Sequence, residues 1–177
     1  MKEQADEHLQ MDGKNMIAVE VAFISIDASS GAPILFLRET EGDPKLVLPI
    51  WIGQGEALSI QFQLKGEEPL RPMTHDLMKN IIESLDATVD AVYVHTMKDS
   101  TYFGQISMVA NGKTLEIDAR PSDSIALALR LGVPIYVAES IVQEIGFPET
   151  ELREAERQQS QDELEHLDEE TLGRYTV

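Results

Sequence analysis

Apolar and β-branched residues crowd residues 16–26 (Met16, Ile17, Val19, Val21, Phe23, Ile24, Ile26), which is the pattern of a strand. Asp27 to Gly31 reads as a turn, residues 33–39 as a second strand and residues 41–44 as another turn. A third strand is expected over 45–52, where Pro49 lacks an amide donor and so favours a sheet edge or a strand end. Gly53, Gln54 and Gly55 interrupt the pattern. Over 56–65 the alternation of Leu58, Ile60, Phe62 and Leu64 suits a strand, but Glu, Ala, Leu, Gln and Lys dominate, which predicts a helix closed by Gly66.

Thr74 has the character of an N-cap for a helix running through Leu85, with Leu77, Met78, Ile81, Ile82 and Leu85 as its buried stripe. Strands follow over 88–97, 101–110 and 113–119. Asn111-Gly112 between the last two is the strongest hairpin signal in the chain. Ser122 or a near neighbour starts a short helix carrying Ile125, Ala126, Leu127 and Leu129, and Gly132 ends it. A short strand at 134–137 and a helical turn or two at 139–145 complete the pattern. Residues 1–15 show no apolar period and read as a mobile arm. Residues 149–177 scatter Leu152, Leu164 and Leu167 among charges and read as an acidic tail. The expectation is one compact α+β domain over 16–148, with a mixed, mainly antiparallel sheet and three to four helices.

Charge sharpens this picture. The chain carries 32 acids against 14 bases, a net charge of −18. The segment 16–148 alone holds 18 acids and 9 bases. A protein that grips nucleic acid by neutralising phosphates shows a basic face, and no basic run is present. This counts against tight, metal-free nucleic-acid binding, and less against a phosphodiesterase whose divalent ions supply the positive charge. With no cysteine, disulfides, thiolate metal sites and cysteine nucleophiles are excluded together. Neither a secretory signal nor an apolar run of about 20 residues is visible, so the cytoplasm is expected and no membrane. Several short strands, at least one at an edge, predict a homodimer or larger closed oligomer.

Three segments carry a family resemblance: Leu48-Pro49-Ile50-Trp51-Ile52-Gly53 with Glu56-Ala57; Arg71-Pro72-Met73-Thr74-His75-Asp76-Leu77; and Ile117-Asp118-Ala119-Arg120-Pro121-Ser122-Asp123-Ser124-Ile125-Ala126-Leu127-Ala128. In order and spacing they resemble the bifunctional nuclease family over residues 16–147, with Ser124 standing where alanine is common. The resemblance implies an α+β fold, oligomeric assembly and, as far as the family name is deserved, activity on DNA and RNA.

The residues themselves admit two readings. Asp118 and Asp123 flank a strand-to-helix loop and, with Glu56, could hold a divalent ion such as magnesium or manganese that activates water for in-line displacement. His75 could act as base or ligand, and Arg71 and Arg120 could contact phosphate. Alternatively, Ser122 and Thr74 cap helices, Asp123, Asp76 and Glu56 complement helix dipoles, and Asp118 pairs with Arg120. Trp51 could stack a base, but a tryptophan in an apolar strand more often belongs to a core or an interface. The leading function is therefore a metal-assisted nuclease. The alternative is a non-enzymatic oligomeric binding or regulatory module.

Overall fold

The computed structural model describes residues 10, 11 and 13–152. Most of the expected arm and acidic tail lie outside the described residues. The chain order is β1 (Gln10–Met11), β2 (Lys14–Ile26), β3 (Pro33–Glu39), β4 (Leu46–Trp51), α1 (Gln54–Lys65), α2 (Thr74–Ser84), β5 (Thr88–Lys98), β6 (Thr101–Ala110), β7 (Lys113–Ala119), α3 (Pro121–Leu131), β8 (Ile135–Ala138), α4 (Glu139–Ile145) and β9 (Phe147–Pro148). The strands form one mixed sheet in the order β7-β6-β5-β8-β2-β3-β4-β9, with β1 paired to β2. All pairings are antiparallel except β5 with β8. The expected single α+β domain is the one observed.

Local chemistry explains the elements. Asn111 and Gly112 both take positive φ, 51° and 70°, as a two-residue turn between twisted strands requires. Gly66 and Gly132 end α1 and α3 in the left-handed region. Pro121 sits at the first position of α3, where its missing amide costs nothing. It holds Arg120 in extended conformation, so Arg120, not Ser122, occupies the N-cap position. Likewise Met73, not Thr74, precedes α2. Its amide donates to the Asp76 carboxylate at 2.7 Å.

The core lies between the sheet and α3. Ile125, Ala126, Leu127 and Ala128 are fully buried and meet β5 and β6. The α1 helix packs on α3 and also meets β3, which puts Ala57 and Ile60 in the same core, whereas α2 packs on α3 outside it. This second-layer position corrects part of the expected stripe on α2: Met78 and Ile82 pack against the core, but Leu77, Ile81 and Leu85 are about half or more exposed, and His75 is the buried residue of the helix. The alternating residues of 56–65 form a helix because that segment packs on α3 and does not pair with a strand. The sheet curls strongly, and its Tyr102 hydroxyl, on β6, reaches across to donate to the Pro49 carbonyl on β4 at 3.2 Å. Beyond Val47 the outer side of β4 is an edge, as Pro49 implied.

Candidate functional site

Three elements meet at the start of α3. The β7–α3 junction delivers Arg120 and Asp123, the first turn of α1 delivers Glu56, and the first turn of α2 delivers His75. Gly104 on β6 makes the junction possible. A Cβ there would stand 2.9 Å from the Ala119 carbonyl oxygen and 3.1 Å from the Pro121 nitrogen, both backbone atoms with little freedom to give. Gly53 plays the same part for Glu56, whose carboxylate occupies the space a side chain at 53 would fill.

Arg120 is the hub. Its Nε donates to Asp123 Oδ2 at 2.7 Å and its Nη2 to Asp123 Oδ1 at 3.0 Å, a bidentate fork. The same Nη2 donates to Glu56 Oε1 at 2.6 Å. The two carboxylates are mostly buried, whereas the Arg120 side chain remains 67% exposed. Burial alone would raise the Asp123 pKa, but hydrogen bonds from Arg120 and His75 outweigh it and hold the carboxyl below its ordinary range.

Behind Asp123 runs a buried relay. His75 Nε2 lies 3.2 Å from Asp123 Oδ1, and its Nδ1 lies 2.8 Å from Ser59 Oγ. A carboxylate only accepts, so in the neutral ring Nε2 carries the hydrogen and Nδ1 accepts from the Ser59 hydroxyl. The grouping has the composition of a serine hydrolase triad, but Ser59 is 1% exposed and faces no substrate. A second ion pair supports the relay. Buried Arg130 donates from Nε to Asp76 Oδ1 at 2.5 Å, from Nη1 to the Ala126 carbonyl at 2.9 Å and from Nη2 to the Ser59 carbonyl at 3.2 Å. One guanidinium thus fastens α1, α2 and α3 together. Asp76 is held low despite burial, by Arg130 and by the Met73 amide.

Of the six candidates Glu56, Arg71, His75, Asp118, Arg120 and Asp123, the structure gathers Glu56, His75, Arg120 and Asp123. It does not gather Asp118 or Arg71 with them. Asp118 is exposed on β7, opposite Gln105 of β6, and makes no ion pair with Arg120. Arg71 is exposed ahead of α2 and, among the described residues, forms no ion pair. Ser59 and Arg130 were not anticipated. A lone arginine closing the apolar run of α3 was the available signal for Arg130. Trp51 was expected in a core or an interface; it is not in the core but 55% exposed, with its Nε1 donating to Asp27 Oδ2 at 3.0 Å.

As arranged, these residues do not fit a divalent ion. Arg120 occupies the position between Glu56 and Asp123 that a cation would take, and both His75 nitrogens are engaged. Among the described residues no group of three His, Cys, Asp or Glu side chains gathers as a metal site would need.

A family model described as the bifunctional nuclease domain matches residues 35–150, which contain every residue of this cluster. The chain belongs to the bifunctional nuclease domain family. An uncharacterized protein of Mycobacterium tuberculosis is 39% identical over 153 residues, covering 85% of this chain and 90% of that protein. A protein named bifunctional nuclease from Oryza minuta is 25% identical over 160 residues, covering 88% of this chain and 48% of that protein. One from Arabidopsis thaliana, also named a bifunctional nuclease, is 27% identical over 108 residues, covering 59% of this chain and 33% of that protein. This chain therefore spans about half or less of those plant relatives. No helix among the described residues is long and apolar enough to cross a membrane.

Proposed function

We propose that this member of the family hydrolyses phosphodiester bonds of DNA or RNA at the Arg120 cluster. The observation that carries this reading is the exposed guanidinium of Arg120, held in one orientation by carboxylates from two helices. The names of the plant relatives support the substrate class. Arg120 meets a non-bridging phosphate oxygen. A water molecule attacks phosphorus, its proton passes to the Glu56 carboxylate, the P–O ester bond breaks, and the leaving oxygen takes a proton from solvent. Glu56 is the acceptor because Asp123 is committed to both Arg120 and His75. Asp123, His75 and Ser59 are positioning residues, and exposed Arg71 is available to a flanking phosphate. No step is routed through a metal ion, since the donors are not arranged to hold one.

The test is cleavage of DNA and RNA by purified protein, with and without EDTA. Arg120→Ala and Glu56→Gln should each slow cleavage by ~10²-fold, the scale of losing a charge contact to the transition state. Should EDTA abolish activity and magnesium or manganese restore it, the ion-free step is wrong and Arg120 must leave its carboxylates during turnover. If the purified protein cleaves neither polymer, the second reading replaces the first: an oligomeric binding module in which the cluster is structural. The exposed stripe of Leu77 and Ile81 on α2 with Leu85 at its C-cap favours self-association under either reading, because symmetric pairing sets the stripe against an identical one.

A further inference from the structure

Beside the Arg120 cluster a cavity of about 270 Å³ opens between the end of β4, the β5–β6 turn and the start of α3. Its lining includes Trp51, Gly53, Thr101, Tyr102, Arg120 and Ser122. We propose that this cavity binds the phosphate of a nucleotide, with the base laid against Trp51. The ligand class follows from the nuclease reading above, but the binding itself requires no turnover.

The first argument is charge. In a chain of net charge −18, the lining contains no carboxylate, and its charged residue is Arg120, which is paired with Glu56 and Asp123 but keeps its side chain 67% exposed. The second is a hydroxyl without a partner. Ser122 is 7% exposed, yet its side chain makes no hydrogen bond with any described residue. No fully sealed side-chain oxygen or nitrogen among the described residues lacks a partner, so the Ser122 hydroxyl is not sealed, and Ser122 lines the cavity. An accessible hydroxyl is satisfied by water in the free protein, and a phosphate oxygen takes that place with a charge-assisted bond.

The third argument is the backbone. The lining includes Gly53 and Arg120, the N-cap residues of α1 (12 residues) and α3 (11 residues), and neither makes a side-chain capping bond. In the first turn of α3 Pro121 has no amide and the Asp123 amide donates to the Arg120 carbonyl, which leaves the amide of Ser122, itself in the lining, for an anion. The last is the aromatic wall. Trp51 is the chain's single tryptophan, and Asp27 holds its indole nitrogen, which fixes the ring while leaving it open to solvent. Exposed indole faces stack bases of any sequence. The cavity lies just below the common size of ligand sites, roughly 300–1,000 Å³. It therefore suits a phosphate with its base outside on Trp51.

Trp51 supplies the assay. Its fluorescence is titrated with adenosine 5′-monophosphate, adenosine and inorganic phosphate, all in EDTA at fixed ionic strength. The monophosphate should saturate at least about tenfold more tightly than adenosine, and phosphate should compete with it. Ser122→Ala should weaken the monophosphate by about tenfold, the scale of one hydrogen bond to a charged group, with the melting temperature little changed. Equilibrium dialysis measures the same affinity independently of the indole. It also serves Trp51→Ala, a surface change that should weaken the monophosphate and spare inorganic phosphate if Ser122→Ala does not fold. Equal affinity for adenosine and its monophosphate overturns the proposal. So does an unchanged affinity in both variants, or the absence of binding by either method up to roughly 10 mM, weaker than the millimolar affinity a minimal specific contact set provides. Cleavage without monophosphate binding would sink the cradle and leave the nuclease reading standing. Binding without cleavage would do the reverse.

Discussion

Asp123→Asn tests the Arg120 cluster as a piece of architecture. The substitution keeps the shape but leaves one carbonyl oxygen where two carboxylate oxygens served three donors: Arg120 Nε, Arg120 Nη2 and His75 Nε2. One of those donors must then face an amide NH₂. The Arg120 side chain is mostly exposed, so losing its ion pair is worth only ~0.2–1 kcal/mol. The bond from buried His75 to a charged acceptor is worth about 1.5–3 kcal/mol. Loss of the charge in the first turn of α3 adds about 0.3–1 kcal/mol. Together these give a loss of ~2–5 kcal/mol, or a fall in melting temperature of ~4–20 °C for a chain of this size. Thermal denaturation followed by circular dichroism at neutral pH measures it. The pH dependence supplies a second reading. The Asp123 carboxyl is depressed in the folded state, so its contribution is present above the unfolded carboxylate pKa of about 3.9 and disappears as pH falls through its lower folded value. The gap between the wild-type protein and Asp123→Asn should therefore narrow in acid. A variant melting within a degree of wild type at neutral pH would show that the cluster bears no structural load, and the reasoning would fail.

Gly104→Ala should cost about 1–3 kcal/mol, because the new methyl meets backbone atoms of Ala119 and Pro121 that set the position of Arg120. Gly55→Ala, with nothing within 4 Å of its Cβ and a helical setting, is the control and should be neutral or stabilising in the same melt. Light scattering should give a mass at least twice that of the 19.7 kDa chain, and Leu77→Glu with Ile81→Glu should shift it to the monomer. A wild-type monomer at micromolar concentration would refute self-association through α2.

The strands were legible because period and turn chemistry agree with the fold at each step: β-branched runs bounded by Asn111-Gly112, Gly31 and Gly132 leave few alternatives. The helix at α1 was legible from composition against its misleading alternation. The stripe on α2 was not, since an apolar face at 3.6 spacing shows that something covers it but not whether that is this chain's own sheet. Likewise Ser122 and Thr74 resemble N-caps in isolation, but Pro121 fixes Arg120 as extended and the Asp76 carboxylate serves the Met73 amide. At the site, motif order brought Glu56, His75, Arg120 and Asp123 to attention. It could not show that Arg120 would fill the gap between two acids, because that depends on α1 and α3 meeting at their first turns. Ser59 escaped notice because a serine inside a helix carries no local mark of burial.

Arg120 travels with its own counter-anions. A typical basic contact to nucleic acid gains entropy when mobile salt ions are released. Here the counter-ions are Glu56 and Asp123, tethered to the same molecule and never diluted into the solvent. Under the proposed reading, an incoming phosphate meets a guanidinium that keeps both carboxylates, and no mobile ion is released from it. Its attraction to that residue is correspondingly shallow in salt dependence and modest in strength. The two carboxylates hold the charge before, during and after such an encounter. On that reading the arrangement trades tenacity for ready release, a property better suited to clearing a product than to holding a polymer.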